Sequence, residues 1–453
     1  MPRIAFYGDD FTGATDTLAT CARAGLRSLL FMRVPSAAQL ARAGALDVLG
    51  IAGATRSMAP EAIAQALQPA AQLFAALGVP LVHYKVCSTF DSAPAVGNIA
   101  SAVGVLRAAL PGAPVAVVGG QPSLGRYCLQ GNLFAAAGAE GKVYRIDRHP
   151  TMSRHPVTPM HEADLRVHLA AQGMGAVEGV AYPSYAHGAD HVARAWQAAR
   201  ADGADAVLFD VGEAAHLGVI GEVLARQSAH GPVIAVGASS VAEALAPQVA
   251  LPSTALATPA DRIDAARGPV LLLAGSLSPV TARQVAAAHS YRFIALDARR
   301  LGAGEQGYLA QAAAQCASAL REGRHVLACT APAAGNAAES HVRADVTARD
   351  VALASARLLA QVLATVPLAR VGVAGGDTSS LAMQALDAWG LAHIARIAPG
   401  VALCRLYSDK PALDGLEIML KGGQMGPDDL FEQFVHGSAA RRGHASDQRV
   451  RAS

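Results

Sequence analysis

Residues 374–380 read Ala-Gly-Gly-Asp-Thr-Ser-Ser and follow a largely apolar run at 369–373. The run is typical of a buried parallel strand, and residues 381–386 have the pattern of a helix. A strand, two glycines and a helix start form an anion site in many α/β folds, because glycine lets a phosphate approach the backbone and the first helical amides lack partners within the helix. The alternative is an ordinary helix cap by Asp377 or Thr378. Both interpretations predict an α/β fold.

The composition favours the same fold and a soluble cytoplasmic enzyme. The chain has 453 residues, of which 52% are hydrophobic and only 5% aromatic, which suits helices packed on buried parallel sheets. A net charge of +2 argues against nucleic acid as the main partner. The six cysteines are scattered singly, so they indicate neither a zinc site nor a disulfide framework. No apolar run is long enough for a membrane span, and the N-terminus lacks a signal-peptide core.

Strand-like and helical segments alternate through two long regions, which predicts two domains, each a mostly parallel sheet flanked by helices. The first domain spans 1–250. A segment without periodicity at 251–268 is the expected linker, and the second domain spans 269–436. Residues 125–185 lack regular patterns and are expected to form loops. The small, polar residues of 437–453 predict a disordered tail.

The first strand of the first domain ends in two acids. Residues 8–14 read Gly-Asp-Asp-Phe-Thr-Gly-Ala, and ligands gather at the carboxyl edge of such sheets. Asp9 and Asp10 offer acceptors that suit sugar hydroxyls. The alternative is that Asp10 or Thr12 caps the next helix.

A later strand ends in a polar run at 83–92. Lys85 supplies a point charge for a carboxylate or a phosphate, and Ser88, Thr89 and Asp91 supply hydroxyl and carboxylate partners. A structural Ser/Thr turn is the alternative. Cys87 lies in the same run, but no histidine pairing indicates a nucleophile.

Two arginines follow other strands of this domain. Arg56 and Arg126 are candidates for a bidentate contact with a substrate carboxylate, although a surface arginine is nearly as good an interpretation of Arg56. The histidines near 154–161 lack metal-ligand spacing, so the metal ligands stay unassigned.

The second domain carries two further turns at strand ends. Residues 274–281 include Ser276, whose hydroxyl suits a nucleotide, and residues 421–427 read Lys-Gly-Gly-Gln-Met-Gly-Pro. Neither a Walker motif nor a G-x-G-x-x-G fingerprint occurs, which disfavours a P-loop enzyme and a dinucleotide-dependent oxidoreductase.

Taken in order, these segments resemble the four-carbon acid sugar kinase family over residues 8 to about 426. The resemblance implies an acid-sugar domain, a nucleotide domain, an active site in the cleft between them, and ATP-dependent phosphorylation of the C4 hydroxyl with Mg²⁺ on the phosphates. Residues 85–92, 97–99 and 155–160 resemble the 3-oxo-tetronate kinase branch; D-threonate or erythronate kinases are the alternative. Residues 119–122 and 50–53 depart from the family pattern and bear on the substrate.

A non-catalytic sugar-acid-binding protein is the alternative from another class, and a homodimer is compatible with the resemblance. The expected catalytic residues are Asp377, as general base, and its rival Asp10. The expected substrate-binding residues are Asp9, Asp10, Arg56, Lys85, Ser88, Thr89, Asp91 and Arg126. The expected ATP-binding residues are Ser276, Gly375, Gly376, Asp377, Thr378, Gly422 and Gly423.

Overall fold

The computed structural model of the chain describes residues 1–137, 141–249, 262–275, 278–330, 346–398 and 400–438, with the backbone alone at Gln306 and Asp377. Most of the predicted linker and nearly all of the predicted tail lie outside the described residues. Within them, no helix combines the length and the apolar character that crossing a bilayer requires.

Strands and helices alternate along most of the chain. The strands are β1 (Ile4–Gly8), β2 (Ser28–Phe31), β3 (Val48–Ala52), β4 (Leu81–Lys85), β5 (Val115–Val118), β6 (Gly120–Gln121), β7 (Arg126–Leu129), β8 (Asn132–Ala137), β9 (Lys142–Arg145), β10 (Val177–Val180), β11 (Ala206–Phe209), β12 (Val233–Gly237), β13 (Val270–Ala274), β14 (Tyr291–Ala295), β15 (His325–Cys329), β16 (Arg370–Ala374), β17 (Ala388–Ala398), β18 (Val401–Ser408) and β19 (Glu417–Lys421). The helices are α1 (Phe11–Arg23), α2 (Ala37–Ala43), α3 (Pro60–Ala76), α4 (Ile99–Ala109), α5 (Leu165–Ala170), α6 (Gly188–Ala201), α7 (Ala214–Ser228), α8 (Ser240–Val249), α9 (Pro279–Ala286), α10 (Ala298–Gly302), α11 (Gln306–Arg321), α12 (Ala348–Thr365), α13 (Gly376–Ala385) and α14 (Leu430–His436).

The large strands form one 15-stranded sheet in the order β10-β11-β5-β12-β4-β1-β3-β2-β17-β18-β19-β16-β13-β15-β14. The eight strands from β10 to β2 pair in parallel, as do the five from β19 to β14. The predicted α/β class, with two mostly parallel halves flanked by helices, is confirmed. The sequence did not predict that the halves share one sheet.

The prediction that residues 125–185 form loops is wrong. It contains β7, β8 and β9, which pair with β6 as a four-stranded antiparallel sheet, and β10 at the edge of the large sheet. Each of these strands has at most six residues. Segments this short carry little periodicity, so their strand character depends on pairing with distant residues.

The two halves join at a seam where β2 pairs antiparallel with β17. Phe31 lies opposite Gly390, and the Met32 amide donates to the Trp389 carbonyl at 3.1 Å. The Trp389 ring stacks on Phe31, with centroids 5.9 Å apart, and the Arg42 guanidinium lies 5.0 Å from the Trp389 ring centroid. Trp389 is 1% exposed. A short backbone pairing is thus reinforced by one large buried ring.

We expect Trp389→Ala to remove about 3–5 kcal/mol of stability at the seam, the usual range for truncating a buried aromatic ring. The two halves should then unfold in separate thermal transitions instead of one, as measured by calorimetry. Trp196→Ala is the matched control, because Trp196 is equally buried but packs on Phe209 within the first half. A single, unshifted transition in Trp389→Ala would contradict the role of the seam.

Candidate active site

The strands of the first half end side by side at one edge. Gly8 lies opposite both Ala52 and Lys85, and Gly237 lies opposite Lys85. The loops that follow these strands therefore start together, as parallel pairing predicts. This register places Asp9, Arg56 and Lys85 at one edge.

Arg56 connects both acids of the Gly-Asp-Asp segment. Its Nε and Nη2 donate to the two carboxylate oxygens of Asp9 at 3.0 and 2.9 Å, and its Nη1 lies 3.0 Å from Asp10 Oδ2. Burial alone would lower the pKa of the Arg56 guanidinium, but the nearby acids, Asp9 foremost, raise it above its usual range. Arg56 therefore stays charged, and part of its N–H donors is engaged by the two acids.

Asp10 also caps α1, since its Oδ1 accepts from the Gly13 amide at 2.8 Å. The helix-cap interpretation of Asp10 is confirmed. Asp10 also lines the cavities described below, and its contact with a sugar hydroxyl stays a prediction. A side chain at Gly13 would clash with Asp10 and with the Lys85 ammonium. Glycine at this position lets Lys85, which donates to the Val86 carbonyl at 2.8 Å, approach the start of α1.

The loop after β4 is held by its own side chains. Thr89 donates to Asp91 at 2.5 Å and lies 3.0 Å from the Cys87 sulfur, while Phe90 adopts a left-handed backbone with φ +53°. Ser88 lines the cavity of about 340 Å³ described below, but Thr89 and Asp91 do not. Burial raises the pKa of the Cys87 thiol to about 11, so it stays protonated at neutral pH and is a poor nucleophile.

Arg126 lies apart from the other predicted substrate residues. It is on β7 of the small sheet and donates to the Leu124 carbonyl. It does not line either of the two cavities between the halves. Its predicted contact with substrate remains untested.

The second half repeats the same arrangement of strand ends. Ala374 lies opposite Ala274 on one side and Lys421 on the other. The Gly275 amide donates to Ala374 and the Gly375 amide to Lys421, each at 2.9 Å. The three glycine-containing turns therefore begin at adjacent points.

The turn at the start of α13 requires glycine. Gly375 has φ +134°, which side chains rarely allow, and it precedes the first residue of the helix, Gly376. Thr378 is buried against Gly275, where an added Cβ would clash with the threonine hydroxyl. Ser276 and the Asp377 side chain lie outside the described residues.

Lys421 is a site candidate that the sequence analysis quoted but did not select. Its Nζ donates to Thr281 Oγ1 at 3.0 Å and to the Gly423 carbonyl at 3.3 Å, and the side chain is 1% exposed. Burial lowers its pKa to about 8. No carboxylate among the described residues pairs with it, so this ammonium suits an incoming phosphate.

Two cavities lie between the halves, on either side of Asp10 and Arg56. The first, of about 340 Å³, is lined by Lys85 and Ser88 from the first half and by Arg396 from the second. The other, of about 700 Å³, reaches Ser380 and Gln384 of α13. The starts of α1 and α13 face each other there, because a Cβ built on Gly376 would lie 3.9 Å from Thr12 Oγ1.

Sequence reasoning missed three polar side chains that line the smaller cavity: Gln121, Glu243 and Arg396. Arg396 lies on β17, a strand the sequence did not predict, and has no ion-pair partner in the described part of the chain. Glu243 lies in the first turn of α8. Gln121 lies in the stretch 119–122, whose departure from the family pattern was noted without selecting the residue. The local sequence of Glu243 and Arg396 carries no signal, since only the long-range packing brings them to the cavity.

Comparison with known proteins agrees with this geometry. Residues 4–245 match a family described as a sugar-binding N-terminal domain, and residues 271–431 match a nucleotide-binding C-terminal domain. A 3-oxo-isoapionate kinase of Paraburkholderia graminis is 38% identical over 96% of this chain and 95% of its own. A 3-oxo-tetronate kinase of Cupriavidus necator is 32% identical over 96% of each chain. A solved Salmonella typhimurium structure covers 96% of this chain and 98% of its own, with a TM-score of 0.81 at 24% identity, which supports the fold alone.

The fold, the paired strand edges and these relatives define a sugar-acid kinase with a sugar-binding and a nucleotide-binding domain. The chain belongs to the four-carbon acid sugar kinase family. The predicted family and enzyme class are thereby confirmed.

The pKa of Lys421 gives a prediction about pH. If the ammonium binds nucleotide phosphate, kcat/KM for ATP should fall about tenfold per pH unit as the pH rises through about 8, because the amine then loses its charge. Lys421→Arg should move this fall to much higher pH, since a guanidinium stays charged. Lys410→Arg, at an exposed lysine, is the control. A wild-type profile that is flat to pH 9.5 would exclude the role.

Proposed function

We propose that the enzyme transfers the γ-phosphoryl group of ATP to the C4 hydroxyl of a 3-oxo acid sugar. The predicted substrate is a 3-oxo-tetronate; 3-oxo-isoapionate, named in the 38% identical relative, is the second candidate. The observation that carries this proposal is the approach of the starts of α1 and α13 between the two halves.

Two facing helix starts suit phosphoryl transfer on physical grounds. Each has unpaired amides and roughly half a positive charge from the helix dipole. The transferred group carries its charge on three oxygens, and catalysis consists mainly of positioning and charge stabilisation. The approach of Thr12 and Gly376 provides such a point between a sugar site and a nucleotide site.

On the nucleotide side, residues 269–436 would hold ATP. Gly376 and Thr378 would present backbone amides to the phosphates, Gly375 would let the phosphates approach the turn because it has no side chain, and Lys421 would add a charge. Gly422 and Gly423 form the neighbouring turn, whose Gly423 carbonyl accepts from Thr281 at 3.0 Å. Mg²⁺ would accompany the phosphates. Among the described residues no three or more His, Cys, Asp or Glu side chains gather, so we assign it no protein ligands.

On the sugar side, residues 1–250 would hold the substrate through Lys85 and Ser88. Arg396 reaches the same cavity from the other half and suits the substrate carboxylate, since its guanidinium has no ion-pair partner among the described residues. Arg56 lines both cavities and holds Asp9 and Asp10 in place, and the N–H groups that these acids leave over would be available to the substrate.

A carboxylate must accept the proton of the attacking hydroxyl. Asp10 is a poor candidate for this proton acceptor, because one of its carboxylate oxygens caps α1 and the other pairs with Arg56. We therefore assign the base to Asp377, which directly follows the glycine turn.

The direct test is an ATP-consumption assay with freshly prepared 3-oxo acids, since β-keto acids decarboxylate on standing. Threonate and erythronate serve as comparison substrates. Phosphorylation of a 3-oxo acid at C4 would support the proposal. Turnover of threonate or erythronate alone would move the enzyme to the other branch.

Gly376→Val should abolish ATP binding while leaving acid-sugar binding near the wild-type level, because the added methyl groups would occupy the space between α13 and Thr12. Calorimetric titration with ATP checks this. Gly307→Val is the matched control, since Gly307 also lies in the first turn of a helix but faces open space. Unchanged ATP affinity in Gly376→Val would remove the phosphate site from this turn.

Asp377→Asn should lower kcat by about 10²–10⁴-fold while ATP and acid sugar still bind, because the amide keeps the shape but loses the base. Asp10→Asn should mainly raise KM for the acid sugar; asparagine still caps the helix but no longer pairs with Arg56. Steady-state kinetics separate the two. The reverse pattern would place the base at Asp10.

A further inference from the structure

The smaller cavity is also lined by a hydrogen-bonded cluster of three polar side chains that the proposed chemistry does not use. Glu243 Oε1 accepts from Ser123 Oγ at 2.7 Å and from Gln121 Nε2 at 3.2 Å. All three line the same cavity as Lys85 and Arg396. They come from two separate segments, the β6 turn and the first turn of α8.

The backbone is shaped to bring Gln121 to this place. Gly120 has φ +97°, and an added Cβ would lie 2.8 Å from the Val211 carbonyl oxygen. A Cβ on Gly119 would lie 2.8 Å from the Cys128 sulfur. Residues 119–122, which depart from the family pattern, therefore include two glycines where the backbone packs too closely for a side chain. This close packing places the Gln121 amide, which is only 3% exposed, at the cavity wall.

This cluster presents hydrogen-bond acceptors. Within the described residues, no partner contacts Glu243 Oε2 or Gln121 Oε1, and no cation lies within ion-pair distance of Glu243. A carboxylate held by neutral donors repels a substrate carboxylate and accepts from a hydroxyl. The acidic end of the substrate therefore belongs with Lys85 and Arg396, and a hydroxyl-bearing end belongs here.

An unbranched 3-oxo four-carbon acid has few hydroxyls to fill these acceptors. With its carboxylate on the cations and its C4 hydroxyl at the phosphoryl group, it keeps one hydroxyl at C2. An acid with an additional hydroxymethyl branch keeps two, which matches the two open acceptor atoms.

We propose that Gln121, Ser123 and Glu243 form a hydroxyl-binding subsite that selects a 3-oxo acid sugar carrying a hydroxymethyl branch. This inference rests on the proposed kinase function, narrows its substrate class, and ranks a branched acid ahead of the unbranched 3-oxo-tetronate. Such a site discriminates because one of the two acceptors, Glu243 Oε2 or the buried Gln121 Oε1, is left without a hydroxyl partner when the unbranched substrate binds.

The test compares kcat/KM for a branched and an unbranched 3-oxo acid. Wild type should prefer the branched acid by at least about tenfold. Glu243→Ala should lower kcat/KM for the branched acid by roughly 10–100-fold, the range for hydrogen bonds to a charged group, and lower it clearly less for the unbranched acid, which has one hydroxyl for the two acceptors. Gln121→Leu should do the same to a smaller extent. Glu243→Gln, which keeps the shape and an acceptor, should retain part of the preference.

Glu61→Ala is the matched control, because Glu61 also lies in the first turn of a helix but lines neither cavity. A wild type without preference, or variants that reduce both substrates equally, would overturn the subsite. Turnover of neither acid by wild type would refute the proposed function instead. Calorimetric binding of both acids to wild type and to Glu243→Gln would then still decide the subsite, with thermal midpoints confirming that the variants fold.

Discussion

The pairing of β2 with β17 decides where the two halves of the active site lie. Three successive antiparallel pairings, from β2 through β17 and β18 to β19, reverse the strand direction between the halves. In a flat sheet the two carboxyl edges would face opposite ways. Six steps separate β1 from β16, and a twist of about 20–25° per step rotates the strands by on the order of 130°. The reversed edges therefore return toward each other, which is consistent with the approach of Thr12 to Gly376.

The two halves of the site also differ in how their cations are paired. On the sugar side, Arg56 is paired with two acids, Asp9 and Asp10, which fix its position. On the nucleotide side, the buried Lys421 ammonium donates to a hydroxyl and a carbonyl and pairs with no carboxylate among the described residues, and burial lowers its pKa. A paired cation fixes geometry at little cost, whereas a buried cation without a carboxylate gains most when an anion arrives. The two cations thus have different tasks although both follow strand ends.

The sequence predicted the features that depend on local residue patterns and on the rule that parallel strands end at the same edge of a sheet. The glycine turn at 374–380 and the acids at 8–14 lie at strand ends, and the register brings their neighbours together as expected. It did not predict β17, although this strand pairs with the adjacent β18, and it could not predict the pairing of β17 with β2, which is more than 350 residues away in the chain. Arg396 and Glu243 were missed for the same reason, since their places follow from long-range packing. The motif with Thr89 and Asp91 was recognised, but only the loop's own hydrogen bonds show that it is held internally.

The shared sheet also constrains how the halves can move. Each parallel half is tied by full-length ladders, for example all five residues of β1 against both β3 and β4. The seam has only two paired positions, Gly390 with Phe31 and Leu391 with Leu30. A relative rotation would break fewest hydrogen bonds there, because every other cut crosses a longer ladder. Since Phe31 and Trp389 stack at this point, the packing that joins the halves also sets the stiffness with which the sugar and nucleotide sites face each other.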